Sequence, residues 1–155
     1  MSDYNGATVA DERRFHVDEV SWADAGPVLS AIRHEVFVRE QHVPVALEWD
    51  GLDVDCRHVL ARDERGNAIG TGRLLPDGHI GRMAVAAAWR RAGVGSAMLA
   101  KLVEMARLRG DRVAVLNAQT YVTAFYRRLG FEVSSAQFIE AGIPHVQMRL
   151  TLRAD

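Results

Sequence analysis

The chain has 155 residues, 48% hydrophobic and 25% charged, the make-up of a globular protein large enough to bury a core without covalent staples. Its formal charge of -1 offers no general attraction to nucleic acid or an anionic membrane, and no apolar run approaches the roughly 18 residues of a membrane span. The one cysteine, Cys56, excludes an internal disulfide framework and fits a reducing, cytoplasmic setting.

In chain order, residues 1–12 are polar, carry no export-signal pattern and are expected to fray, leaving 13–155 as a single domain. Phe15-His16-Val17-Asp18-Glu19-Val20 alternates as a strand does. A helix capped by Asp24 or Gly26 follows, with Leu29, Ile32 and Val36 at helical spacing. Residues 41–55 read as a long acidic loop, and 57–62 with 68–75 as two strands joined by a tight turn at 63–67. After the turn Pro76-Asp77-Gly78, a strand at 80–85 runs into Arg90-Arg91-Ala92-Gly93-Val94-Gly95-Ser96. The next helix sets Val94, Met98, Leu102 and Met105 on one face and ends near Gly110. Val113-Ala114-Val115-Leu116 is apolar throughout, as a strand covered on both faces requires. Val122, Phe125 and Leu129 stripe a short helix stopped by Gly130, and 131–138 and 145–152 close the chain as strands. The order βα(α)βββαβαββ implies an α/β fold of about seven strands, because a crossover helix links the strand at 80 to that at 113.

Two segments carry chemistry. A turn with two glycines and two arginines opening a helix suits a pyrophosphate: small residues admit the ligand to the backbone, the first helical N–H groups are unpaired, and arginine adds charge. The spacing Arg-x-x-Gly-x-Gly is neither a Walker A loop nor the dinucleotide Gly-x-Gly-x-x-Gly. In Phe125-Tyr126-Arg127-Arg128-Leu129-Gly130-Phe131, Tyr126 lies one position off the buried stripe, so its hydroxyl can reach a cleft while its ring packs.

Together these segments resemble the GNAT superfamily of acyl-CoA-dependent N-acetyltransferases, across the strand at 80–85, the turn Arg90-Arg91-Ala92-Gly93-Val94-Gly95 and the Phe125-to-Phe131 stretch. The resemblance implies a mixed central sheet of about seven strands flanked by about four helices, with a bulged fourth strand splayed from the fifth. It implies that Met83, Ala84 and Val85 offer backbone groups to the pantetheine arm of acetyl-CoA, that the turn Arg90, Arg91, Ala92, Gly93, Val94, Gly95 and Ser96 takes the pyrophosphate, and that Gln119 and Tyr126 complete the donor site. Gln119 stands where the family commonly has Asn, and Val122 where it has Ala.

Glu35, Glu40, Glu48, Asp50, Asp53 and Asp55 place six carboxylates in about two dozen residues, either a solvated acidic loop or a negative rim for a cationic amine. The spacing is not a calcium loop, and no metal is expected. Arg33, Phe37, Glu48, Asp50 and Asp53 also resemble the acyl-homoserine-lactone synthases, which share the GNAT core; Arg33, Phe37, Glu48 and Asp50 are the candidate acceptor-site residues. The expected reaction is direct transfer from acetyl-CoA to a small amine. Glu35, Glu48, His79 or His145 would accept the ammonium proton, the Val85 N–H would hold the oxyanion, and Tyr126 would protonate the leaving thiolate. Cys56 has no adjacent base to make it a nucleophile. The rival readings are a non-catalytic acyl-CoA sensor, which needs the glycine turn but not Tyr126, and a synthase fed by an acyl carrier protein. A small-molecule partner is expected, without nucleic acid or membrane, and a homodimer is compatible with the sequence.

Overall fold

Strands β1 (Phe15–Val20), β2 (Arg57–Asp63), β3 (Ala68–Leu74) and β4 (Ile80–Val85) lie side by side in that order, each antiparallel to the next. A second antiparallel sheet places β8 (Ile143–Thr151) beside β5 (Val113–Gln119), with β6 (Glu132–Val133) and β7 (Phe138–Glu140) both pairing β8. This is a computed structural model that describes residues 13–153, so the reading of residues 1–12 lies outside the described residues. The sheets meet at one parallel contact, His79 with Val115, where the Val115 N–H donates to Gly78 O at 3.0 Å. Beyond it, β4 and β5 part. The expected mixed sheet of about seven strands with a splayed fourth and fifth is thus found, as eight strands among the described residues in two sheets that part at that pair.

Helix α3 (Val94–Arg109) covers one face through Val94, Met98, Leu99, Leu102, Met105 and Ala106, packed on Val59, Ile69, Leu116 and Met148. Helix α1 (Trp22–Arg33) covers the other, setting Ala25 and Leu29 on Leu60. Its cap is Ser21 rather than Asp24 or Gly26: the Asp24 N–H donates to Ser21 Oγ at 3.1 Å, leaving Asp24 in the first turn, where its charge favours the helix dipole. Past Arg33 the helix widens into a π-helix, His34–Glu40, in which the Gln41 N–H reaches Val36 O. The acidic loop holds a short helix α2 (Val45–Glu48) and a 3-10 turn, Asp53–Asp55.

Two sequence expectations shift near the C-terminus. Helix α4 (Thr123–Arg128) ends before Leu129, which therefore turns outward, and the buried position passes to Phe131 after the left-handed turn at Gly130. The expected strand at 131–138 breaks into β6 and β7 because the Ser135 hydroxyl takes the Gln147 N–H at 2.8 Å, replacing a backbone acceptor.

Candidate active site

The split between β4 and β5 leaves backbone groups without a strand partner. The Ala86 N–H donates to Ile69 O at 2.8 Å, toward β3, so the alternation of the pleat turns the N–H and C=O of Val85 and Met83 toward the gap. Ala84 pairs with Thr71 instead. Arg90 Nε donates to the Val85 carbonyl at 3.1 Å, which leaves the Val85 N–H as the group presented there. The phase of this pleat is set by a bulge. Arg73 pairs with Gly81 and Thr71 with Ala84, so Arg82 and Met83 together oppose Gly72, and Arg82 adopts a left-handed φ of 49°.

At the open end of β4 the glycine turn leads into α3. Gly93 occupies the N-cap with φ 87°, and the first intrahelical bond is Ala97 N–H to Gly93 O. No side chain caps the helix, so the amides of Val94, Gly95 and Ser96 have no intrahelical acceptor. A Cβ built on Gly93 meets nothing within 4 Å, which marks an open cradle in front of these amides. The two arginines part company here. Arg90 pairs with Glu40 at 2.7 Å and ties the turn to the π-helix, whereas Arg91 is exposed with no partner among the described residues. The cradle, its amides and Arg91 fit a pyrophosphate.

Tyr126 packs its ring against Phe125 and Phe131 on the α3 side of the core. Its hydroxyl has no partner among the described residues, and burial raises its pKa above the ordinary 10, so it stays protonated at neutral pH. His145 pairs with Gln119 across the strands, at the open end of the split. Because Val146 and Met148 enter the α3-side core, His145 faces the opposite side. The Ile143 carbonyl 2.7 Å from His145 Nδ1 can only accept, so Nδ1 carries a proton, and the lone pair of the neutral ring is the one on Nε2. Glu140 Oε2 lies 3.5 Å from Nε2, and Asn117 Nδ2 donates to Glu140 Oε1 at 3.2 Å. Phe138 stacks on the imidazole at 5.9 Å. Asn117 and Glu140 were missed from sequence; the available signal was one polar residue inside an otherwise apolar strand.

His79 lies at the vertex where β4 and β5 still touch, 3.0 Å from Asp77. Glu35 is exposed, pairs with Arg39 at 3.2 Å, and edges a mostly apolar groove of about 490 Å³ formed with Pro27, Val28, Ile32 and Ala86. Phe37 is half-buried on the π-helix. Burial raises the Cys56 pKa, and the thiol donates to Leu52 O at 3.2 Å, an inert arrangement.

The acidic loop spends its charge internally. Arg33, 2% exposed, binds Glu48 at 2.5 Å and Asp53 at 2.6 Å. Arg73 binds Asp50 and Asp53, and Arg82 Nη2 donates to Asp50 at 3.1 Å and to the carbonyls of Leu47 and Glu48 at 3.2 Å each. Hydrogen bonding from Arg73 outweighs burial and holds Asp50 down at about 2. Burial opposes the charge on Arg73, yet its bonds to Asp50 and Asp53 raise its pKa. Three guanidinium groups thus balance three carboxylates. Arg73 and Arg82 were not anticipated, because they join the cluster from strands distant in sequence.

A helix N-terminus beside two diverging parallel strands is the frame of an acyl-CoA-dependent acyltransferase. Comparison agrees: residues 14–152 match the family model of the acetyltransferase (GNAT) domain. The uncharacterized N-acetyltransferase YjcF of Bacillus subtilis is 39% identical over 121 residues, spanning 76% of this chain and 86% of that protein. An acyl-CoA N-acyltransferase from Pseudomonas aeruginosa superposes with a TM-score of 0.80 at 32% identity, covering 89% of this chain and 100% of that one. Escherichia coli ElaA gives 0.78 at 27% identity, covering 88% and 99%. The chain belongs to the GNAT acetyltransferase family, an acyltransferase family with acyl-CoA as co-substrate. Among the described residues no helix is long and apolar enough to cross a membrane.

Proposed function

We propose that the protein transfers an acetyl group from acetyl-CoA to a small primary amine by direct attack, with both substrates bound together. The observation that carries this reading is the split itself, which leaves the Val85 N–H without a strand partner; the free amides of α3, a Tyr126 hydroxyl with no partner among the described residues and His145 at the open end of β5 support it.

The helix amides and Arg91 would hold the pyrophosphate, and the gap-facing groups of Met83 would take the pantetheine amides. The amine arrives protonated, since an alkylammonium has a pKa near ~10. His145 Nε2 and Glu140 are two acceptors 3.5 Å apart, suited to hold an N–H⁺ between them. His145 takes the proton; the freed nitrogen attacks the thioester carbonyl, and the Val85 N–H donates to the oxyanion. The C–S bond then breaks as Tyr126 gives its proton to sulfur. His145 faces away from the α3-side core and Tyr126 packs against it, so attack and departure are served from opposite sides. The balanced loop cluster leaves Glu140, rather than Glu48 or Asp50, as the carboxylate suited to a cationic acceptor.

Acetyl transfer to a panel of amines tests this reading. Tyr126→Phe keeps the ring, so acetyl-CoA affinity should hold while single-turnover transfer falls at least tenfold, within the ~10²–10⁴ range of general acid catalysis. His145→Gln should be slow at neutral pH and recover as pH approaches that of the free amine. Wild-type rates in both variants would overturn the assignment.

A further inference from the structure

We infer that Arg82 is a positioning residue: by tying the bulge of β4 to the loop at 47–50, it holds in register the backbone that the acyl donor uses, and Asp50 serves donor binding through it. This rests on the proposed acetyl-CoA site.

Arg82 is the only non-glycine residue of β4 with a positive φ, a conformation disfavoured for a residue with a Cβ unless its surroundings hold it. It sits at the point where the register changes. Before it, Leu74 pairs with Ile80 and Arg73 with Gly81; after it, Thr71 pairs with Ala84 and Gly70 with Val85, a slip of one residue. If Arg82 relaxed to ordinary strand geometry, the pleat beyond it would change phase. The N–H groups of Met83 and Val85 would then turn toward β3 and that of Ala84 into the gap. The donor-facing edge therefore depends on one dihedral angle.

The support for that angle comes from across the fold. One nitrogen of Arg82 donates to the Leu47 and Glu48 carbonyls and to Asp50, three acceptors fixed on one loop. Asp50 is itself held by Arg73 on β3 and caps the Leu52 N–H at 3.1 Å. Asp50 thus bridges Arg73 and Arg82, two guanidinium groups that would otherwise repel. The loop is in turn anchored to α1, since Arg33 grips Glu48 and Asp53.

Calorimetric titration with acetyl-CoA, no acceptor present, tests the inference, with circular dichroism and thermal melts confirming that each variant folds. Arg82→Ala should weaken acetyl-CoA at least tenfold and Asp50→Asn at least threefold. The double variant should bind no worse than Arg82→Ala alone. Arg82→Gly, which takes a positive φ without a Cβ penalty, should regain part of the affinity that Ala loses; a general loss of packing would show no such rescue. Acceptor KM at saturating acetyl-CoA should stay within twofold in Asp50→Asn, and this variant decides the matter should Arg82→Ala not fold. Unchanged acetyl-CoA affinity in Arg82→Ala or Asp50→Asn, or a rise confined to acceptor KM, overturns the inference alone. A wild-type protein that binds no acetyl-CoA overturns it together with the proposed function.

Discussion

Replacing Gly93 separates what the glycine turn does for folding from what it does for the acyl donor, because the structure supplies a matched control. Gly93 at the N-cap of α3 has φ 87°, and Gly66 in the turn between β2 and β3 has φ 81°. A Cβ at either meets nothing within 4 Å. Neither change to alanine creates a clash, so the cost is conformational. The left-handed penalty is about 1–2 kcal/mol, and the stiffer unfolded chain returns about 0.4–1. A net loss of about 1 kcal/mol lowers Tm by roughly 2–4 °C in a protein of this size. Gly93→Ala and Gly66→Ala should therefore melt alike. They should differ in binding. The new methyl at Gly93 enters the cradle before the amides of Val94, Gly95 and Ser96, where a phosphate oxygen would approach to about 2.9 Å. Loss of even one such charge-assisted bond makes acetyl-CoA at least tenfold weaker, about 1.4 kcal/mol. Scanning calorimetry measures the first quantity and titration calorimetry the second. Wild-type affinity in folded Gly93→Ala, or an equal loss in Gly66→Ala, would refute the reasoning.

Two further outcomes follow from the loop cluster. The folded-state pKa of Asp50, about 2 against an ordinary 3.8, lies below the unfolded value, so its contribution is full above about 4 and disappears as pH falls toward 2. Denaturant unfolding should show Asp50→Asn less stable than wild type at neutral pH, with the difference narrowing through that window; a constant difference would contradict the linkage. Cys56→Ser keeps a donor for Leu52 O and should transfer acetyl groups within twofold of wild type. A large loss would restore Cys56 as a nucleophile.

Elements with a complete side-chain signature were legible in the sequence. Helix α3 announces itself through Val94, Met98, Leu102 and Met105 and through glycines at both caps. The glycine turn was legible from its residues, and the splayed strand pair from motif resemblance. The backbone irregularities that matter most were not legible. A π-helix and a one-residue bulge leave no periodicity behind, since each is a change in which carbonyl or strand residue a group meets. Arg82 looks like any polar residue in a strand. The acidic loop reads as a solvated negative surface because sequence counts its carboxylates together but places Arg73 and Arg82 far from them. Leu129 was misplaced because periodicity does not register that α4 stops one residue earlier.

The ionic cluster poses an energetic question of its own. Burying ions costs several kcal/mol each after relaxation, and hydrocarbon side chains of similar volume often give equal stability. Arg33, Glu48 and Asp53 are each less than a tenth exposed, so this cost applies to them nearly in full. Stability alone thus does not account for three arginines and three carboxylates under the loop. Directionality does. A methionine at position 82 could fill space beside the loop, but it could not bind two carbonyls and a carboxylate and so fix the rotation of its own backbone. On the reading that Arg82 sets the register of β4, the cluster exchanges solvation for orientation, and Arg73 and Arg33 hold rigid the acceptors that Arg82 grips. The charges then serve the donor strand through geometry, although none of them need touch the donor.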